Sequence, residues 1–178
     1  MSIYQKIAKI GSKYIGRHNL FKYGFNFSPM YRRSTGRIKK VSKDLLVVKM
    51  KIPISYKNRN YVNSIFGGSM FSAVDPVPMV QLINILGEEY VVWDKSAEIN
   101  FKRPAKENLY ADFIYTLEEL SMIKDKVKLE KEIEIIKTTI LTNKNGSKIY
   151  CEINKTLYIA DKLYYKEKRK KSKTANSN

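Results

Sequence analysis

The chain has one cysteine, Cys151, and one histidine, His18. A lone cysteine excludes an internal disulfide and points to a reducing compartment, the cytoplasm. A lone histidine leaves only His18 for a Ser–His or Cys–His pair, and a His-rich metal site is excluded. Neither a metal nor a cofactor is therefore expected. No apolar run approaches the ~20 residues of a membrane span. Val77 to Leu86 is among the longest, and Pro78, Gln81 and Asn84 interrupt it. Met1 to Leu20 carries a lysine every three or four residues and lacks the apolar centre of a secretory signal.

Acidic residues are also scarce. Asp and Glu total 17 against 34 Lys and Arg, a net charge of +17 at pH 7. Such an excess suits a polyanion: nucleic acid, an anionic membrane surface, or a phosphate-bearing ligand. Only seven of the basic residues are arginine, the better bidentate phosphate reader. Abundant Lys, Ile, Asn and Tyr also fit a chain with biased codon usage. Nucleic acid and membrane are therefore secondary readings.

The 178 residues fit one domain flanked by short extensions. Residues 1–24 read as an amphipathic helix, with Ile3, Ile7, Ile10 and Tyr14 on one face and Lys6, Lys9, Lys13 and Arg17 beside it. Phe25 to Pro29 and Tyr31 to Gly36 read as loop and turn. Arg37 to Val41 and Leu45 to Pro53 predict a strand pair or one bent strand, and Ser55 to Asn63 a polar loop. Val77 to Leu86 is apolar all round, as a buried helix is, and Gly87 stops it. Four strand-like blocks follow: Tyr90 to Phe101, Leu109 to Leu120, Val127 to Leu141 and Lys148 to Ile159. Asn143-Lys144-Asn145-Gly146 marks a hairpin. Residues 25–161 form the predicted domain, and the lysine-rich 162–178 reads as a disordered tail.

The segment Asn60 to Pro76, N-Y-V-N-S-I-F-G-G-S-M-F-S-A-V-D-P, carries the chemistry. Gly67 and Gly68 at a helix start offer amide hydrogens to an oxyanion, or else allow a tight turn and close packing. Asp75 is either a base or nucleophile, or the N-cap of a helix whose first residue is Pro76.

The order of elements and the Gly-Gly segment resemble the hotdog fold, and more narrowly the acyl-CoA thioesterases of the phenylacetate-pathway type. Asn60, Gly67, Gly68 and Asp75 stand at matching positions of that motif, and Phe66 stands where the family has histidine. The rest, including A-V-D-P, L-G-E-E-Y-V-V-W-D-K, I-N-F-K-R-P and K-T-L-Y-I, resembles a hotdog branch known as a domain of unknown function. The resemblance spans roughly residues 20–160. It implies an α+β fold, an antiparallel sheet wrapped around a long central helix. It also implies a homodimer or tetramer with an acyl-CoA, or another acyl thioester, in clefts between subunits.

Asp75, Gly67, Gly68 and Asn60 are then the expected catalytic residues. Phe66, Asn63, Ser69, Lys95, Arg32 and Arg33 are the expected substrate contacts. Asparagines in a loop are more often turn formers, the competing reading for Asn60 and Asn63. No serine sits in G-x-S-x-G, and Cys151 has no neighbouring base. On a regular strand Lys95 shares a face with Val91, Trp93, Ala97, Ile99 and Phe101, while Asp94 points the other way. The alternative function is an acyl- or CoA-binding protein in which Asp75 merely caps the helix.

Overall fold

The computed structural model describes residues 15–175. The amphipathic face drawn on Ile3 to Tyr14 lies outside them. Two short helices come first, α1 (Arg17–Phe27) and α2 (Pro29–Arg33). They replace the expected loop at Phe25 to Gly36, and the predicted boundary after residue 24 falls inside α1. Pro29 opens α2 at its first position, where a missing N–H costs nothing.

Strands β1 (Arg37–Val41) and β2 (Val47–Ile52) form the expected hairpin. The central helix follows in two parts, α3 (Gly67–Val74) and α4 (Pro76–Leu86), joined at Asp75. Then come β3 (Tyr90–Phe101), β4 (Leu109–Ile114), α5 (Leu117–Glu130), β5 (Glu132–Thr142), β6 (Ile149–Asp161) and α6 (Lys162–Ala175). The six strands make one antiparallel sheet in the order β1-β2-β4-β5-β6-β3.

The sheet curls around the central helix because both bury their apolar faces there. Val77 and Leu82 are fully buried, and Ile38, Val48, Met50, Leu109, Ile153 and Leu157 meet the helix from the strands. Two apolar clusters result. One joins α3 to β1, β2 and β4; the other joins the end of α4 to α5, β5 and β6. The 20-residue run Gly67–Leu86 is long and apolar enough to cross a membrane. Here it is the core helix inside the sheet.

Three expectations are corrected. The blocks Leu109 to Leu120 and Val127 to Leu141 are not continuous strands, because α5 lies between them. Thr116 caps α5 by accepting from the Glu119 amide at 3.1 Å. Glu118 and Glu119 then sit in the first turn, where acidic side chains are favoured. Leu120, Ile123 and Val127 form its buried stripe. Second, the tail is helical over Lys162–Ala175 rather than disordered. Asp161 accepts from the amides of Leu163 and Tyr164 at 2.9 Å, and Lys168 pairs with Glu132 at 2.6 Å. Third, β3 is not regular. A bulge at Lys95 separates Asp94, opposite Leu157, from Ser96, opposite Thr156. Val92 and Asp94 therefore face the helix, and after the bulge Ala97, Ile99 and Phe101 do.

The cap of α5 is testable. Thr116→Ala should cost about 1 kcal/mol, read as a lower urea midpoint at unchanged slope. An unchanged midpoint would show that the helix start is held some other way.

Candidate functional site

Asp75 sits at the joint of the central helix, where the sequence disrupts the backbone ladder. Pro76 and Pro78 have no N–H, so the carbonyls of Ser72 and Val74 lose their helical donors. Side chains from three other elements bind neighbouring carbonyls instead. Tyr31 donates its hydroxyl to Ala73 at 3.0 Å, Tyr115 to Pro78 at 3.1 Å, and Lys155 its ammonium to Asp75 at 2.6 Å. The joint is thus pinned from α2, from the end of β4 and from β6.

Asp75 is not an N-cap. Its backbone is helical (φ −43°, ψ −54°), and its side chain accepts no amide hydrogen of α4. The carboxylate turns to Lys155 instead, with Oδ1 2.6 Å from Nζ. Lys155 also reaches Asp94 Oδ1 at 2.8 Å. Its side chain is only 1% exposed, against 40% for Asp75 and 28% for Asp94. The ammonium therefore spends its donors on the Asp75 carbonyl and on two carboxylates, as a buried charge must. Burial holds the Asp94 carboxyl above the usual carboxylate range. The Lys155 charge pulls it down, and the Asp75 charge adds to the rise. The β3 bulge aims Asp94 into this cluster. Asp75 keeps an oxygen toward the surface.

Lys155 escaped the sequence reading, yet its signal was there. Cys151, Ile153, Lys155, Leu157 and Ile159 alternate along β6, so the lysine occupies an inward position.

Gly67 and Gly68 open α3, and no side chain caps this helix start, so their amides are left for water or a ligand. The glycines also serve packing. A Cβ on Gly67 would lie 2.8 Å from the Phe101 ring, and one on Gly68 2.3 Å from the Phe66 ring. Phe66 is 57% exposed and roofs this corner. From Gly68 to Asp75 is seven residues of helix, about 10 Å at 1.5 Å rise per residue. The glycine amides and the carboxylate thus stand about two helical turns apart along α3.

The other expected residues are placed as follows. Asn60 holds its own loop: its Oδ1 accepts from the amides of Val62 and Ser64, and its Nδ2 donates to Ser64 Oγ at 2.9 Å. Asn63 is exposed at φ +61°, a turn conformation. Ser69 lies in the first turn of α3. Lys95 pairs with Glu134 on the outer face of the sheet, away from the helix. Arg32 and Arg33 are exposed at the end of α2. That end touches the loop leading to Gly67, because Asn58 donates to Thr35 at 2.7 Å and accepts from the Phe66 amide at 2.8 Å. The Cys151 thiol is buried and pushed up to about 11 by desolvation, so it stays protonated. Among the described residues, no group of three or more His, Cys, Asp and Glu side chains could hold a metal.

The architecture is the hotdog fold, and solved structures that share it include several named as thioesterases. A Pseudomonas aeruginosa protein of unknown function, described as a probable thioesterase, is 17% identical with a TM-score of 0.70, over 80% of this chain and 95% of its own. A Haemophilus influenzae thioesterase is 12% identical with a TM-score of 0.57, over 80% and 90%. Zebra fish thioesterase superfamily member 2 is 14% identical with a TM-score of 0.56, over 79% and 96%. No curated protein matches in sequence. The chain belongs to the family described as domain of unknown function DUF4442, whose model matches residues 17–159.

Asp94 offers a pH test. A carboxyl whose folded-state pKa is raised binds more protons folded than unfolded. Its contribution is therefore stabilising in acid and is lost as pH rises through the folded pKa. Asp94→Asn should be at least as stable as the parent near neutral pH, with that relative gain shrinking in acid. Urea midpoints against pH measure this. A variant that is weaker at neutral pH and equal in acid would show that attraction to Lys155 outweighs burial.

Proposed function

We propose that the protein hydrolyses an acyl thioester, acyl-CoA being the leading substrate, at clefts formed between two copies of the chain. The observation that carries this reading is the Asp75 carboxylate, half open at a pinned helix joint and backed by a buried ammonium. A fixed carboxylate beside a helix of this kind can take a proton from water as the water attacks a thioester carbonyl. The C–S bond then breaks, and the thiolate leaves and is protonated by Asp75 or by solvent. The amides of Gly67 and Gly68 are suited to the oxyanion, with contributions of roughly 2.7–4 kcal/mol typical of one such donor.

The helix rise of about 10 Å favours a shared site: the glycine amides of one subunit would face Asp75 of the partner subunit. Strand β3 supports such a pairing. It is an edge strand of 12 residues, and Trp93 and Phe101 along it are more than half exposed. A long exposed edge of this kind invites a second strand. Phe66 would line the acyl path and Arg32 and Arg33 would hold phosphates. Asn60 would serve by shaping the loop before Gly67.

Acyl or CoA binding without hydrolysis is the second reading. It draws on the Lys155 pair, since a carboxylate balanced by an ammonium is a weaker base.

The discriminating experiment is thiol release from acyl-CoA esters of graded chain length. Asp75→Asn should lower kcat by about 10²- to 10⁴-fold while binding persists. Hydrolysis equal to that of the parent would remove Asp75 from the reaction and leave the binding reading.

Shared sites make a second prediction. Asp75→Asn and Gly67→Pro, the latter deleting one amide at the first helix position, where the backbone suits proline and the exposed Phe101 ring must swing clear of the added Cβ, should each be inactive alone. Mixed dimers should recover about half of the activity, because one of the two sites is intact. No recovery in verified mixed dimers would place the whole site in one subunit.

A further inference from the structure

A separate cleft lies where the sheet splits. Strands β4 and β5 are neighbours, yet they share a single register pair, Tyr110 with Thr142. Beyond it they diverge around α5, and a cleft of about 860 Å³ opens between them, a volume typical of small-molecule sites. Its inner wall is the central helix, at Pro78 and Gln81.

Gln81 is fully buried. Its Nε2 donates to the carbonyls of Leu45 at 2.7 Å and Phe113 at 3.4 Å, and these two acceptors fix the orientation of the amide. Its Oε1 is then left buried with no partner, the only such side-chain atom among the described residues. A buried acceptor of this kind calls for a donor. The walls beside it are apolar: Met50, Phe113 and Ile114 on one side, Ile136 and Ile140 on the other. The rim is basic. Lys39, Lys49, Lys137 and Lys144 lie there against two acids, Asp112 and Glu119, which Lys49 and Lys137 engage at 2.6 and 2.7 Å, so Lys39 and Lys144 carry the excess charge.

We propose that this cleft binds a slender organic anion with an amide N–H. The anionic end meets the lysine rim, the apolar body lies between β4 and β5, and the N–H donates to Gln81 Oε1. Two sources share that chemistry: a free N-acyl amino acid, and a phosphopantetheine arm with its amides. The inference stands on the split sheet and on Gln81, so it holds whether or not Asp75 hydrolyses thioesters.

The test compares two probes that differ in one group, N-dodecanoylglycine and its ester analogue O-dodecanoylglycolate. Binding to the full-length protein is followed by calorimetry and by the isotope-labelled isoleucine methyls. The amide should bind about 5- to 100-fold tighter than the ester, which leaves Gln81 unpaired. It should shift the methyls of Ile136 and Ile140. Gln81→Met should abolish the preference for the amide. Lys39→Glu with Lys144→Glu, both on the surface, should weaken both probes about tenfold and flatten their salt dependence. Asp75→Asn should change none of this. Phosphopantetheine that displaces the acylglycine identifies a carrier arm as the source, and failure to displace identifies free N-acyl anions. Equal affinity for amide and ester in the parent protein would overturn the proposal. So would unmoved methyls, or no binding by the folded chain, since bound water would then satisfy Gln81.

Discussion

The structure turns on one buried ammonium. Lys155 lies on the inward face of β6, where an apolar residue would be expected, and it is almost wholly shielded from water. A lone charge there would be prohibitively costly. It is tolerated because a helix interrupted by Pro76 and Pro78 presents a carbonyl at Asp75, and two carboxylates close the shell. Without the β3 bulge Asp94 would face solvent, and without Lys155 two carboxylates would stand together uncompensated.

This dependence explains why the joint is fixed rather than a loose hinge. Tyr31, Tyr115 and Lys155 grip the carbonyls of Ala73, Pro78 and Asp75 from three sides of the core. Burial pushes both tyrosine hydroxyls up, so both remain donors throughout the ordinary pH range. A carboxylate held by such a frame has little freedom to reorient, and preorganised groups cost nothing to place at the moment of reaction.

Much of this was legible in the sequence. The apolar run after Asp75, the glycine pair, the early strand pair and the late strands follow from periodicity and turn residues, and β3 begins and ends where its alternation predicts. The errors have a common physical source. Helix α5 was hidden because Leu120 and Val127, two of its buried stripe, fit the ends of two strand blocks, and the capping pair Thr116 and Glu119 falls inside the expected block Leu109 to Leu120. Helix α6 depends on Asp161 as its cap and on Glu132 as a distant partner for Lys168, and composition alone does not report a distant partner. The bulge at Lys95 inverts the faces of β3 and cannot be seen without the register against β6. Asp75 before proline looks like a cap, and only the position of Lys155 shows where its charge goes.

The most direct test of this account is the side-chain ammonium signal of Lys155 in nitrogen-resolved NMR of the intact protein. The group should be seen as a slowly exchanging ammonium, as its burial and its three hydrogen-bonded acceptors require. Its resonance should move when either Asp75 or Asp94 is replaced by the corresponding amide. A rapidly exchanging group, or a resonance indifferent to both carboxylates, would contradict the claim that this one charge organises the site.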